Sequence, residues 1–202
     1  TSKLVKITKT SPYGRVERPF NPGELVIGAH GTFFARSIDA EVNLTTECMV
    51  AASKHDGLSV IEVLVNCMIF NNGTHKAFAG DKEVRAEHTI TLRQGEKMLF
   101  GKNMDKGLML DNMKLKVVTV GENGVTLDDI LVHDAHEKDT MVHVMLASMK
   151  YPDFPVALGI IRDVAEPTYE REVARQIAEV QATAKIKNVD DLLNSGETWE
   201  VE

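Results

Sequence analysis

The tightest limit on how this chain can fold is the run Ser59-Val60-Ile61-Glu62-Val63-Leu64-Val65, which is rich in β-branched residues and almost continuously apolar. Two heavy atoms on Cβ stiffen χ1 and favour extended backbone, so the run predicts a strand. Continuous rather than alternating hydrophobicity suits a parallel strand covered on both faces. The run stops at a polar loop, Asn66-Cys67-Met68-Ile69-Phe70-Asn71-Asn72-Gly73. Open α/β sheets present functional groups at their strand ends, so Cys67 there is a candidate metal or cofactor ligand. The plainer alternative is a small buried thiol that only fills space. Spacing alone leaves both readings open.

The segments around this run read as alternating helix and strand. Asn21-Pro22 opens a helix that stops at Gly31, with proline in the first turn where a missing N–H costs least. A short strand over 32–38 follows. Asn43 is a candidate N-cap for a helix whose apolar positions Leu44, Cys48, Ala51 and Ala52 recur at helical spacing until Gly57. That spacing puts Cys48 on the buried face as a packing residue. Strand, helix and strand in succession imply a right-handed crossover.

The middle of the chain is less regular. Residues 77–87 are charged with few apolar positions, while Lys97–Gly101, Lys106–Leu110 and Leu115–Val120 read as short strands, with Asn103-Met104-Asp105 and Gly121-Glu122-Asn123-Gly124 as turns. Clearer periodicity returns in the last third. Asp139 is placed to cap a helix carrying Met141, Val144, Met145 and Met149, and Pro155 to Val164 reads as a buried strand. A long helix starts at Thr168-Tyr169 with Val173, Ile177 and Val180 on one face, and a short one spans Asn188 to Leu193.

Charge excludes some function classes. The net charge of −7 argues against a nucleic-acid or anionic-membrane surface, because phosphate binding is driven by clustered Lys and Arg. No apolar run is long enough to span a bilayer, and two cysteines in unlike surroundings do not make a disulfide framework, so the expected location is the cytoplasm. His133-Asp134-Ala135-His136-Glu137 with His143 offers imidazoles and carboxylates, but it is not the His-Glu-x-x-His pattern and follows a strand-like run, so hydrogen bonding is the expected role.

Several motifs carry a resemblance: Thr8-Lys9-Thr10-Ser11-Pro12-Tyr13-Gly14, Arg18-Pro19-Phe20-Asn21-Pro22, Leu25 to Gly31, Cys67 to Gly73, Ile130-Leu131-Val132-His133-Asp134-Ala135, Leu158-Gly159-Ile160, Pro167-Thr168-Tyr169 and Glu197-Thr198-Trp199. Read in order, they resemble the β subunit of the 2-oxoacid:ferredoxin oxidoreductases, and within it the 2-oxoglutarate branch. The resemblance implies an α/β fold: the C-terminal half of a thiamine-diphosphate-binding fold with a mostly parallel sheet, plus a C-terminal extension. Residues 1–75 would complete the thiamine-diphosphate-binding domain, and residues 76–202 would form the extension packing on it and on partner subunits.

By the same resemblance Cys67 is the last ligand of a [4Fe–4S] cluster, a group that needs four thiolates. The only other cysteine is Cys48. The family's other three ligands, and the Gly-Asp-Gly and Asn that anchor thiamine diphosphate through Mg²⁺, have no counterpart in this sequence. The expectation is therefore the C-terminal part of a longer β subunit, inactive by itself. Implied for the whole enzyme are coenzyme A-dependent oxidative decarboxylation of a 2-oxoacid, 2-oxoglutarate being favoured, electron transfer to ferredoxin, and an α subunit as partner. The competing expectation is a non-catalytic α/β interaction module in which Cys67 is a buried structural thiol.

Overall fold

In a computed structural model of the chain, residue 7 and residues 11–14, 16–69 and 71–199 are described. Thr8-Lys9-Thr10 and Phe70, which contribute to the resemblance, lie outside them. The chain divides into two compact units, Thr1–Ala165 and Glu166–Glu202.

The first unit is built on a four-stranded sheet of order β2-β1-β7-β3. Its strands are β1 (Phe33–Ile38), β2 (Ser59–Leu64), β3 (Thr89–Leu92) and β7 (Val156–Asp163), so the sheet draws on both sides of residue 75. β1 runs parallel to β2, and β3 parallel to β7, while β1 and β7 are antiparallel. The α/β class with a mixed, mostly parallel sheet is thus the one expected.

β1 is the central strand and every one of its residues is buried. Its pleat sends Phe34 to one face and Phe33 and Ala35 to the other. The first face packs with Ile27 of α1 (Pro22–Gly28) and Leu146 and Ala147 of α5 (Met141–Ser148); the second packs with Leu44 and Cys48 of α2 (Val42–Lys54). β2 departs from expectation. It lies at the sheet edge and all six of its residues are only half-buried, because full two-sided cover falls to β1 instead.

α1 forms as its sequence predicts. The Asn21 side chain accepts a hydrogen bond from the Gly23 N–H at 3.0 Å, and Pro22 occupies the first turn. Gly23 is required by closeness: a Cβ there would stand 2.6 Å from the Phe34 ring. α2 corrects the expected cap at Asn43. The helix starts at Val42 with Glu41 as N-cap and no side-chain cap, because the tight turn off β1, Glu41 N–H to Ile38 C=O at 3.1 Å, fixes its entry.

The charged stretch that looked irregular holds α3 (Lys76–Ala79) and α4 (Lys82–His88), the latter capped by Asp81 accepting from the Val84 N–H at 2.9 Å. An antiparallel sheet of β4 (Leu99–Phe100), β5 (Lys106–Asp111) and β6 (Lys114–Thr119) follows, matching the expected strands closely. Its buried Leu108 and Phe100 extend the core on the α1/α5 face.

The expected cap at Asp139 is displaced by one position: α5 has Thr140 as N-cap, while Asp139 Oδ1 accepts from the Met141 N–H at 2.7 Å. The second unit contains α6 (Tyr169–Thr183), capped by the Thr168 hydroxyl, and α7 (Val189–Leu193), capped by Asn188. Both helices stand where periodicity puts them.

Candidate functional site

Cys67 sits just beyond the C-terminal end of β2, on a loop tied at both feet. Asp39, the residue after β1, donates its N–H to Leu64 C=O at 3.2 Å and accepts the Asn66 N–H at 2.9 Å through its carboxylate. The Asn66 side chain then spans the loop mouth. Its Nδ2 donates to Asn72 Oδ1 at 3.0 Å, and its Oδ1 accepts from the Gly73 N–H at 2.8 Å. Inside the loop the Asn71 N–H donates to Cys67 C=O at 2.9 Å. Gly73 closes the turn at φ +74°, a left-handed conformation that favours glycine.

The loop lies at the surface. Cys67 is exposed, and so are its neighbours Met68 (74%) and Ile69 (86%). Cys67 therefore differs from the buried structural thiol of the competing reading. Cys48 has that character instead: it is fully buried on the apolar stripe of α2, and burial, with Glu47 beside it, raises its thiol pKa. A thiol held protonated is a poor ligand. The Asn66 amide is engaged across the loop mouth rather than turned toward the sulfur's surroundings as a free donor.

The donor chemistry fits an iron–sulfur group at one corner. A thiolate is a soft ligand of the kind iron–sulfur groups take, and Cys67 stands at the surface on a braced loop. Among the described residues no group of three or more His, Cys, Asp or Glu side chains is placed to hold a metal. Within the described residues, then, Cys67 could contribute at most a single ligand to such a group.

The histidine constellation is spent on hydrogen bonds. His133 and His143 are both buried, with ring centroids 6.5 Å apart. His133 Nε2 donates to Ile160 C=O and His143 Nε2 to Asp134 C=O, each at 2.8 Å. His143 Nδ1 accepts from Arg162 Nη1 at 2.9 Å, while His133 Nδ1 is buried with no partner among the described residues. Burial pushes both imidazole pKa values down, and the Arg162 guanidinium adds to the effect at His143. His136 turns away, its Nδ1 meeting Asp163 C=O.

Sequence reasoning missed Arg36 and Asp39. Arg36 lies within the fully buried β1, with Nε 2.6 Å from Glu62 Oε2 on the register-matched position of β2. Its Nη2 donates to Asn21 Oδ1 at 3.3 Å and to Ala147 C=O at 3.1 Å, joining the start of α1 to the end of α5. The available signal was a lone charge inside a strand that is otherwise apolar but for Ser37. Nothing local marks Asp39.

No family model matches the chain. It is 33% identical over 205 residues to the 2-oxoglutarate oxidoreductase subunit KorB of Mycobacterium tuberculosis, an alignment covering 100% of this chain and 54% of that subunit. It is also 42% identical over 60 residues to the 2-oxoglutarate synthase subunit KorB of Archaeoglobus fulgidus, 30% of this chain and 22% of that subunit. The structure resembles that of the 2-oxoglutarate:ferredoxin oxidoreductase from Magnetococcus marinus, solved with 2-oxoglutarate, coenzyme A and succinyl-CoA bound. The TM-score is 0.60 at 16% identity over 98% of this chain and 52% of that one, which shows the thiamine-diphosphate-type α/β fold. The chain spans about half the length of the M. tuberculosis subunit (54%). Matched from end to end by that subunit, the chain is a part-length relative of the β subunits of the 2-oxoacid:ferredoxin oxidoreductases.

Proposed function

We propose that the chain is the C-terminal portion of the β subunit of a thiamine-dependent 2-oxoacid:ferredoxin oxidoreductase, with 2-oxoglutarate as the 2-oxoacid. In this reading residues 1–75 complete the thiamine-diphosphate-binding domain, residues 76–202 pack on it and on the α subunit, and Cys67 ligates a [4Fe–4S] cluster. The observation that carries it is the exposed position of Cys67 on a loop braced at both feet, in a chain aligned over its whole length with a 2-oxoglutarate oxidoreductase subunit.

In the complete enzyme, thiamine diphosphate with Mg²⁺ would supply the electron sink for decarboxylation, and a cluster held in part by Cys67 would supply the route for electrons toward ferredoxin. The residues of this chain contribute position. Asp39 ties the loop to the end of β1, and Asn66 holds its two strands together, so the sulfur is set before any metal arrives. The exposed Met68 and Ile69 provide an apolar rim that can shield the sulfur from water, and solvent access is one determinant of cluster potential.

The test is anaerobic reconstitution of the complete β subunit with its α subunit, comparing Cys67→Ala with the parent. The variant is expected to lose cluster iron and to reduce ferredoxin at least about tenfold more slowly. Full iron content with normal ferredoxin reduction would remove Cys67 from the ligand set. Turnover with a panel of 2-oxoacids tests the substrate, and a strong preference for pyruvate would refute the 2-oxoglutarate assignment.

A further inference from the structure

A cavity of about 640 Å³ opens at the C-terminal ends of β1 and β2, within the first unit. Both feet of the Cys67 loop reach it, through Leu64 and Thr74. Its floor and walls come from segments far apart in sequence: the approach to α1, the middle of β1, α3, and the turn between α5 and β7. That volume falls in the range of small-molecule sites, which combine an apolar lining with a few placed polar groups.

The lining carries a charge opposite to the chain as a whole. Arg18, Arg36 and Lys150 face it against a single carboxylate, Glu62, although the chain carries a net charge of −7. Arg36 is the built element. It is 5% exposed, with its Nε fixed on Glu62 and its Nη2 on Asn21 and Ala147. A guanidinium fixed on three protein groups lines the cavity in a preset orientation, which lowers the cost of meeting an anion there. The apolar part of the lining is aromatic: the rings of Phe78 and Tyr151 lie 6.2 Å apart, and Phe20 adds a third, 62% exposed.

We propose that this cavity binds an organic anion with a flat apolar body, Arg18, Arg36 and Lys150 meeting the charge and Phe20, Phe78 and Tyr151 the body. A strongly hydrated inorganic anion would leave the aromatic surface unused, and a neutral aromatic would leave the cations unpaired. The inference goes beyond the oxidoreductase reading and does not depend on Cys67 holding iron.

The test uses the purified protein with two near-isosteric probes, 1-naphthoate and the neutral 1-naphthamide, in calorimetric titration and in amide chemical-shift mapping. Naphthoate is expected to bind about tenfold tighter than the amide at low salt, with the gap narrowing as salt is added. Shifts are expected to centre on Phe78, Lys150 and Tyr151. Because Arg18 and Lys150 are exposed, the double variant Arg18→Gln/Lys150→Gln removes charge without opening the core, and it is expected to abolish most of the preference for naphthoate. Absence of naphthoate binding, equal affinity for the two probes, unchanged naphthoate affinity in the double variant, or shifts centred elsewhere would each overturn the proposal.

Discussion

Gly159 shows how much one missing side chain can carry. It lies in β7 between Arg36 of β1 and Leu92 of β3, at φ +100°, and a Cβ there would meet the Leu92 carbonyl oxygen at 2.6 Å. Two costs fall on any replacement: the left-handed conformation and a clash with backbone that cannot step aside. Gly159→Ala is therefore expected to destabilise the first unit by about 2 kcal/mol or more, measured as a shift in the urea midpoint. A midpoint within experimental error of the parent would show that β3 can move off β7 freely. The sequence Leu158-Gly159-Ile160 flags a glycine inside a buried strand, but only the neighbouring strand supplies the reason for it. Cys67 illustrates the opposite case. Its position at the end of an apolar run is legible in the sequence, while its exposure and the Asp39 and Asn66 bracing are not, since those bonds join residues 27 positions apart or close across a loop.

Among the elements, α1 depends on Asn21 for more than its first turn. The same side chain caps the helix, donates from Nδ2 to Ala147 C=O at 2.7 Å, and accepts from Arg36 Nη2. An exposed N-cap replaced by alanine costs about 1 kcal/mol. Asn21→Ala also strips a partner from the Ala147 carbonyl and from Arg36, so the loss is expected to exceed that of Thr168→Ala, whose hydroxyl caps α6 by a long bond to Arg171 N–H of 3.4 Å. Chemical denaturation of the two variants tests the ranking, and equal losses would mean that the tertiary bonds of Asn21 contribute nothing. The caps at Asn21, Thr168 and Asn188 could be read from sequence because capping is a contact over two or three residues. The start of α2 could not, because the turn from β1 sets it and Asn43 is left inside the helix.

For the molecule as a whole, the buried imidazoles tie stability to pH. His133 and His143 are held as neutral rings, each donating from Nε2 to a carbonyl, and a proton on His143 Nδ1 would face the Arg162 guanidinium. Their folded-state pKa values lie below the ordinary 6.5, so below that pH the unfolded chain takes up protons that the folded chain refuses. Their contribution is complete above about pH 6.5 and is lost progressively as the pH drops toward the lowered folded values. Melting temperature is therefore expected to fall between about pH 7.5 and 5, with a shallower slope in His143→Gln. A slope identical in parent and variant would exclude His143 as its source.

Local rules reach a definite boundary in this protein. The strand Ser59–Leu64, the helices from Pro22 and Tyr169, the turns at Asn103 and Gly121, and the buried face carrying Cys48 were fixed by β-branching, capping and periodicity, all of which act within a few residues. The motif order also determined the resemblance to a β subunit. The tertiary structure decided the rest: that β1 rather than β2 receives two-sided cover, that four-residue β3 forms against β7, that His133 and His143 bond carbonyls, and that Arg36 is held inside a strand by Glu62. Each of these depends on which distant segment lies alongside, and the net gain from burial and pairing exists only once the chain has closed those long loops.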